Sequence, residues 1–436
     1  MAASDWRPTK LDELGYVGRG RSRHRPRNAA FLYGGRYPFF QTGDIKAANF
    51  YLTEYSQTYS EQGLAQSKLW KPGTLCITIA ANIAESAILG IEGCFPDSVV
   101  GFVPDTDKAD VRFIKYYLEI LKLRMQNISH GATQDNLSLD KLLSFDFLVP
   151  PLPIQRRIAG ILSAYDELIE NSQRRIKILE SMARALYREW FVHFRFPGHD
   201  NPAGQPDWTA EGRPAGASTM DGASQSVPRV PSPLGEIPKG WEVKTVPDCV
   251  HINPRVAVPR DGEKPFVPMG CLSNDSMHIS DIEVREGNSG AKFQNGDTLF
   301  ARITPCLENG KTGFVQFLPD SQSVGFGSTE FIVLRSRTLT PEFVYLLARS
   351  DEFRGVAIKS MSGATGRQRV QEKCFDDLRI AQPPCALLDQ FALIVSPSFQ
   401  LTFKLHLQIQ NLRRTRDLLL PRLLSGQIDV EALDHA

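Results

Sequence analysis

The sequence predicts an α/β protein in which two similar mixed domains are joined by two long helices. Three observations support this fold class: the 436-residue chain repeats itself, each repeat ends in an extended helical pattern, and a segment poor in large apolar residues separates the repeats. Its composition, 42% apolar and 23% charged, is that of a globular protein rather than a disordered or fibrous one. By length, two or three domains are expected.

The internal duplication is the most informative feature. The tripeptide Gly-Ala-Thr at 131–133 recurs at 363–365, and the proline pair at 150–151 recurs at 383–384. The offset of 233 between the proline pairs also aligns Ile158 with Phe391 and Leu186 with Leu419. Solenoid repeats have periods of only about 20 to 50 residues, so the duplicated unit is a whole domain plus a helix. Such a duplication predicts a pseudo-two-fold axis within the chain.

Each copy begins with a mixed region of strands and short helices. The runs of β-branched and apolar residues at 74–79 and 331–334 predict strands. Helical patterns at 111–123 and 341–348 interrupt the strands. A mixed sheet with helices is therefore expected in both copies.

Two long helices follow the proline pairs. Residues 154–195 contain no Pro or Gly except Gly160. Apolar residues recur at helical spacing, with a one-residue slip between 168 and 176: Ile154, Ile158, Ile161, Tyr165, Leu168, Ile176, Leu179, Ala183, Leu186 and Trp190. In the second copy a strict 3-4 stripe runs from 388 to 423. A spacing of 3.5 sustained over this length is typical of a coiled coil, here an antiparallel pair. A pair of ordinary core helices is the alternative.

The segment 197–235 separates the two copies. Of its 39 residues, 22 are Gly, Pro, Ser or Ala, which predicts a flexible linker. The predicted organisation is thus a mixed domain at 1–150, a helix at 151–196, the linker at 197–235, a second mixed domain at 236–383, and a second helix with a C-terminal tail at 384–436.

Several segments resemble the DNA-specificity subunit of type I restriction–modification enzymes. They are ALYREWFVHFRFPG at 185–198, GATQDNLS at 131–138, LLPRLLSGQI at 419–428, IPKGW at 237–241 and ARITPCLENGK at 301–311. Together they cover most of the chain. The second copy departs from the pattern, since it has Gly-Arg-Gln-Arg at 366–369 where the first has Gln-Asp-Asn-Leu at 134–137. Gln155 aligns with Gln390 only if two residues are inserted.

The resemblance implies a division of labour. The two mixed domains would be target-recognition domains that each read half of a split DNA sequence, and the long helices would be conserved spacers. Methyltransferase subunits, two of them in a symmetric complex, would bind S-adenosylmethionine and methylate adenine N6. Restriction subunits would use ATP and Mg to translocate and cut DNA. The specificity subunit itself would hold no cofactor or metal and do no chemistry.

Three alternatives remain open from the sequence. The same architecture could serve a methylation-only complex or a related restriction class. A coiled-coil scaffold that does not bind DNA is a second hypothesis, and a free-standing nuclease is a third. A gel shift with the methyltransferase partner would test the scaffold, and DNA cleavage by the chain with magnesium would test the nuclease.

Three sequence patterns that would indicate an enzyme are incomplete or missing. Gly-Lys-Thr at 310–312 mimics the end of a P-loop, but the first glycine is replaced by Pro305, which has no N–H for a phosphate. The nuclease-like pair Pro-Asp at 206–207 and Glu-Val-Lys at 242–244 places its aspartate in the linker. No Asn/Asp-Pro-Pro-aromatic tetrapeptide of an adenine methyltransferase occurs.

Location and metal content are expected from simpler features. The seven cysteines include no Cys-x-x-Cys pair, so neither a disulfide framework nor a zinc site is expected. The first residues lack the order of a signal peptide, and no apolar run of about 18 residues occurs. A cytoplasmic protein is expected.

The basic residues are concentrated near the N-terminus. Net charge is +1 overall, but residues 1–40 carry eight Arg/Lys against three Asp/Glu. Within the arginine segment GRGRSRHRPR at 18–27, arginine occupies every second position: Arg19, Arg21, Arg23, Arg25 and Arg27. In an extended chain this spacing puts all five guanidinium groups on one side, where they could follow phosphates or enter a minor groove.

Other candidate DNA contacts lie in polar loops near glycines. Glutamine pairs with adenine and arginine with guanine, so such side chains suit base edges, although a plain surface role is an equal alternative. The candidates are Gln41, Thr42, Gln134 and Asn136 in the first copy, and Arg302, Asn309, Lys311, Arg367, Gln368 and Arg369 in the second.

The end of the first long helix predicts a partner-binding surface. Six large apolar side chains crowd there: Tyr187, Trp190, Phe191, Val192, Phe194 and Phe196. Two helices alone could not cover them, so they are expected to contact methyltransferase helices.

Overall fold

A computed structural model describes residues 6–130, 137–197, 227–364 and 366–432. The chain divides into two compact units. The first contains residues 1–172 and 408–436, and the second contains residues 173–407. None of the helices in the described part combines the length and apolar composition that a membrane span requires.

The first unit is built from short strands around one principal sheet. Its elements are β1 (Arg7–Thr9), β2 (Gly15–Arg19), β3 (Tyr33–Phe39), α1 (Thr42–Ala47), β4 (Tyr51–Leu52), β5 (Gln57–Tyr59), α2 (Glu61–Ala65), β6 (Leu75–Thr78), β7 (Ser86–Leu89), β8 (Val99–Pro104), α3 (Val111–His130), α4 (Leu139–Leu143) and β9 (Phe147–Val149).

The principal sheet has the strand order β2-β8-β6-β7-β4, and β1-β9 and β3-β5 form two smaller antiparallel pairs. All four residues of β6 are buried, as the apolar run at 74–79 predicts, and all four residues of β7 are buried as well. The core between sheet and helices contains the fully buried rings of Phe102, Phe113 and Phe147. The strand order places β2, which leads into the arginine segment, at one edge of the principal sheet.

The first long helix, α5 (Leu152–Tyr187), begins in the first unit and ends in the second. A π-helical turn at Arg188–Val192 follows it. Its buried face differs from the predicted stripe at one point, because Leu168 is 51% exposed and Ile169 is buried instead. The polar residues Ser172 and Glu180 occupy buried positions farther along the same face.

The second unit contains two four-stranded sheets. Its elements are β10 (Arg229–Ser232), β11 (Gly235–Pro238), β12 (Glu242–Thr245), α6 (Val246–Cys249), β13 (Val250–Ile252), β14 (Lys264–Val267), β15 (Glu283–Arg285), β16 (Ala291–Phe293), β17 (Thr298–Ala301), β18 (Thr312–Phe314), β19 (Gly325–Gly327), β20 (Phe331–Ser336), α7 (Pro341–Ala348), α8 (Asp351–Lys359) and β21 (Arg379–Gln382).

Local sequence explains where the short helices begin. The hydroxyl of Thr340 accepts a hydrogen bond from the Phe343 N–H, with Pro341 in the first turn of α7. Ser350 caps α8 in the same way. Such caps satisfy N–H groups that the helix itself leaves unpaired, so α7 occupies the residues 341–348 that its pattern predicts.

The strand order of the first unit recurs in the second. The order β13-β20-β17-β18 repeats β2-β8-β6-β7, and the neighbouring pairs in both sheets are antiparallel. The antiparallel pair β12-β21 likewise repeats β1-β9, and its last strand again precedes a proline pair. The units differ in the sheet β15-β14-β19-β16, for which the first unit has only β3-β5. The sequence duplication is therefore accompanied by a duplicated topology.

The second long helix, α9 (Cys385–Leu424), crosses from the second unit back to the first. The eleven positions of its predicted stripe are all buried or half-buried. In the first unit Arg416 of α9 pairs with Asp166 of α5, whose other carboxylate oxygen accepts the Tyr116 hydroxyl at 2.5 Å. In the second unit the rings of Trp190 and Phe391 lie 5.8 Å apart.

The end of the predicted linker is ordered. Residues 198–226 lie outside the described part, but β10, within the linker range 197–235, pairs with β11 in antiparallel register. Val230 opposite Ile237 places an apolar side chain against the buried Ile237.

Candidate nucleic-acid interface

The arginine segment continues β2 as an extended chain. Arg19, Arg21 and Arg23 are exposed, whereas Gly20 and Ser22 between them are buried. The buried side is anchored, since the Gly20 N–H donates to the Val99 carbonyl at 2.9 Å and the Arg21 N–H to the Phe95 carbonyl at 3.0 Å. The one-sided arrangement expected from the spacing is thus found for the first three arginines.

Arg25 and Arg27 differ from that expectation because the chain turns at 25–28. The Arg25 guanidinium folds back to donate to the carbonyls of Ser22 at 2.7 Å and His24 at 2.9 Å. Arg27 forms a two-pronged pair with Asp97, with N–O distances of 2.9 and 3.0 Å. In the described part, no carboxylate pairs with Arg19, Arg21 or Arg23. These three remain available to an external anion.

A cation that lies on two aromatic rings borders the arginine segment, and no sequence motif predicts this arrangement. The Lys68 ammonium lies 3.6 Å from the centre of the Trp70 ring and 4.4 Å from that of Tyr16, whose side chain is 56% exposed. The neighbouring Ser67 hydroxyl donates to the Arg21 carbonyl at 2.8 Å. Tyr16 and Lys68 are 52 residues apart, so only the fold brings them together.

Gln41 and Thr42 lie where β3 ends and α1 begins. The Gln41 backbone N–H donates to the Asp44 carboxylate at 2.7 Å, and its side-chain amide donates to Gln57 at 2.7 Å. Both Gln41 and Thr42 are half-buried. Gln41 therefore closes the start of α1, and its amide is already engaged. Gln134 and Asn136 lie outside the described residues.

The second unit brings two distant candidate segments together. The Thr304 N–H donates to the Gln368 carbonyl at 3.1 Å, and the Val370 N–H donates to the Arg302 carbonyl at 2.8 Å. The loop at 362–369 is thereby held against the segment that follows β17. Arg367 is exposed and Gln368 half-buried on this loop.

The charges of Arg302 and Arg369 are satisfied within the unit. Arg302 pairs with Glu372 at 2.7 Å and donates to the Val370 carbonyl at 3.0 Å. Arg369 forms a two-pronged pair with Glu330, at 2.6 Å for the shortest N–O distance, and its hydrogen bonds hold the pKa of Glu330 below its ordinary value. Both arginines position the loop.

Lys311 is held by a hydrogen bond within the unit, but Asn309 is exposed to solvent. The Lys311 ammonium donates to the Met269 carbonyl at 3.1 Å. Of the cations predicted for DNA contact in the second unit, Arg367 is therefore the one that the unit itself does not engage, within the described residues.

The prediction that the six apolar side chains at the end of α5 are uncovered is wrong for most of them. Tyr187, Trp190 and Phe191 are buried in the core of the second unit, where Phe191 contacts Phe343 with ring centres 4.7 Å apart. Phe194 and Phe196 are partly buried against Trp241, at 5.1 and 5.6 Å. The second domain supplies the cover that two helices could not. Val192, at 52% exposure, is the large apolar residue of this set that stays exposed.

Comparison with known proteins shows which family the chain resembles. Residues 3–181 match the family model of the type I restriction modification DNA specificity domain. The chain is a relative of the type I specificity subunits. The resemblance drawn from its sequence motifs is confirmed.

Two curated relatives illustrate the extent of the match. The type I restriction enzyme MjaIX specificity subunit of Methanocaldococcus jannaschii is 23% identical over 447 residues, which cover 98% of this chain and 95% of the relative. The type I restriction enzyme EcoEI specificity subunit of Escherichia coli is 35% identical over 158 residues, or 34% of this chain and 26% of the relative.

A solved structure shares the fold. The S subunit of a type I restriction–modification system from M. genitalium superposes with a TM-score of 0.56 at 14% identity, covering 96% of both chains. The chain therefore shares the mixed α/β fold of that structure.

Proposed function

We propose that the chain is the specificity subunit of a type I restriction–modification complex and recognises a bipartite DNA sequence, one half with each unit. The observation that carries the proposal is the repeated strand order, because two copies of one topology suit two half-sites read by equivalent surfaces. The free cations Arg19, Arg21 and Arg23 support DNA as the ligand of the first unit.

The long helices are the proposed spacers, paired as an antiparallel coiled coil. Contacts inside each unit support this pairing. Arg416, late in α9, meets Asp166 in the first half of α5, and Phe391, early in α9, meets Trp190 just after the end of α5. The seam in both helices has spacings of three and four residues.

The chain would bind partners rather than catalyse a reaction. Two methyltransferase subunits would supply S-adenosylmethionine and methylate adenine N6, and restriction subunits would supply ATP- and Mg-dependent translocation and cleavage. The chain's own contribution would be to select the DNA sequence and to hold the methyltransferases at the two half-sites.

Genome-wide mapping of N6-methyladenine tests this function. The host with the gene should methylate one split motif, and a deletion strain should lose methylation at that motif alone. A complementing copy should restore it. An unchanged methylation pattern would reject the proposal. Phage plating on the two strains tests in addition whether restriction subunits act with the chain.

A further inference from the structure

A groove of about 500 Å³ in the second unit is lined by residues of both four-stranded sheets. Phe331 and Val333 of β20 contribute apolar side chains to it, and three cationic residues line it, namely Arg255, Lys292 and Arg302. Among the described lining residues there is no carboxylate. A concave surface with this charge favours an anionic ligand.

Two of these cations are not neutralised. Arg302 already has Glu372 as its partner. In contrast, the Lys292 ammonium donates only to the Gly290 carbonyl, at 3.3 Å, and the exposed Arg255 has no carboxylate in ion-pair distance within the described part of the unit. The groove therefore has two positive charges available for a ligand.

The groove adjoins the loop at 362–369. Thr329 lines the groove, and the next residue, Glu330, holds Arg369 of the loop through its carboxylate. The Glu330 carbonyl accepts the N–H of Arg302, which lines the groove as well. The groove and the loop are thereby joined through Glu330, and the exposed Arg367 lies on the same loop.

We propose that this groove binds the phosphodiester backbone of duplex DNA in the second unit, with Arg255 and Lys292 as phosphate contacts. The inference rests on the proposed function and goes beyond it by assigning the backbone contacts of the second half-site to residues that motifs do not reveal. Phosphate contacts fix the position of a protein on DNA but carry no sequence information.

The double variant Arg255→Ala/Lys292→Ala tests the assignment in the full-length chain assembled with its methyltransferase subunits. Each lost phosphate contact should reduce the slope of log affinity against log salt by about 0.9, so the double variant should lose about 1.8. Between 50 and 200 mM NaCl its affinity should then fall about 12-fold less than that of the unsubstituted chain. Fluorescence anisotropy with a labelled duplex that contains the mapped motif measures both quantities.

The control is Arg229→Ala/Lys239→Ala, which removes the same charge from exposed residues of the β10-β11 hairpin outside the groove. The slope of log affinity against log salt should change less in this control than in Arg255→Ala/Lys292→Ala. Thermal unfolding of both double variants should match that of the unsubstituted chain, because all four side chains are exposed or half-buried.

Each result decides between the hypotheses. A loss of slope that is equal on target and non-target duplexes supports phosphate binding in the groove. Equal behaviour of the two double variants, or a loss confined to the target duplex, overturns the groove assignment and leaves the proposed function intact. Saturable binding of inorganic phosphate that the groove variant loses would make this a free-anion site and also overturn it. An unsubstituted complex of the chain with its methyltransferase subunits that binds no DNA would overturn both proposals.

Discussion

The imidazole rings of His278 and His406 stack in the second unit, with their centres 4.2 Å apart and their planes inclined by 25°. His406 belongs to α9, and His278 lies between β14 and β15. The Ser276 hydroxyl lies 3.2 Å from His278 Nε2 and donates to the Glu180 carboxylate of α5 at 2.6 Å. A polar network thus connects both long helices to the mixed domain of this unit.

The histidine pair predicts a pH dependence of stability. Burial and, to a lesser extent, the neighbouring His406 lower the pKa of His278 to about 4, while Asp275 opposes the shift. As pH falls below about 6.5, the unfolded chain takes up a proton that the folded chain refuses until pH is about 4. The free energy of unfolding should therefore decrease between these values, by at most about 3 kcal/mol.

Thermal unfolding from pH 7 to pH 4.5 checks this expectation. His278→Gln should reduce the dependence, whereas His251→Gln, at an exposed position of the same unit, should leave it unchanged. Glu180 acts in the opposite direction because burial raises its pKa. Equal pH profiles for the two histidine variants would contradict the assignment.

Glu180 itself supports a second prediction about stability. Its carboxylate accepts from the Ser276 hydroxyl at 2.6 Å and from the Met277 N–H at 2.9 Å, although it is buried. Glu180→Gln keeps an acceptor oxygen and removes the buried charge, so the melting temperature at pH 7 should stay the same or rise. Glu180→Ala removes the acceptor of the buried Met277 N–H and of the half-buried Ser276 hydroxyl, and it should cost about 2 to 5 kcal/mol. Equal melting temperatures for the two variants would contradict this role.

Residues such as Glu180 show why the sequence predicts the long helices but not all of their packing. The stripe of α9 is found where the sequence predicts it, because its buried positions are mostly apolar. In α5, Ser172 and Glu180 hold buried positions, so a pattern based on apolar residues passes them over and selects Leu168 instead of Ile169. Their burial depends on partners from other segments, which spacing along one helix does not reveal.

The candidate nucleic-acid interface is likewise predicted only in part from the sequence. Alternate spacing predicts the exposed side of Arg19, Arg21 and Arg23 because an extended chain has a period of two. The same reasoning fails for Arg27, since Asp97 is 70 residues away. It also cannot show that Glu330 and Glu372 neutralise Arg369 and Arg302. Long-range ion pairs decide which cations remain free.

The burial of the aromatic residues at the end of α5 predicts contrasting effects of two substitutions. Trp190 is only 5% exposed and contacts Phe391 and Phe191, so Trp190→Ala should destabilise the second unit by about 3 to 5 kcal/mol. Val192→Ala, two residues later at an exposed position, should change stability by less than about 0.5 kcal/mol. Chemical denaturation followed by tryptophan fluorescence for Val192→Ala and by circular dichroism for both measures the difference. Similar losses would mean that the cluster is not part of the core.

The arginine segment predicts a salt-dependent loss of DNA affinity. Arg19→Ala/Arg21→Ala/Arg23→Ala should reduce the salt slope by up to about 2.7, because each exposed guanidinium can neutralise one phosphate. The matched control Arg27→Ala removes a guanidinium that Asp97 already neutralises, and it should change the slope less than Arg21→Ala does. Salt titrations by fluorescence anisotropy give both slopes. A triple variant with an unchanged slope would exclude the segment as a phosphate contact.

The long helices predict the spacing between the half-sites. A seven-residue insertion lengthens a helix by roughly 10 Å and returns the apolar seam to the same face. The insertion has to be made in both helices, after Ser172 and after Leu407, where the chain passes between its two units. Copies of residues 166–172 and 401–407 preserve the local pattern of each helix.

B-DNA advances about 34 to 36 Å in 10 to 10.5 base pairs, so roughly 10 Å corresponds to about three base pairs. The double insertion should therefore lengthen the permitted spacer by about three base pairs, as read by methyladenine mapping, while both half-site sequences stay the same. Insertion in α5 alone displaces its seam relative to that of α9, and its thermal stability should fall. Seven residues added to an intact helix must lengthen it, because each residue adds about 1.5 Å. Methylation at the original spacing by a stable double-insertion variant would therefore mean that helix length does not set the distance between the half-sites.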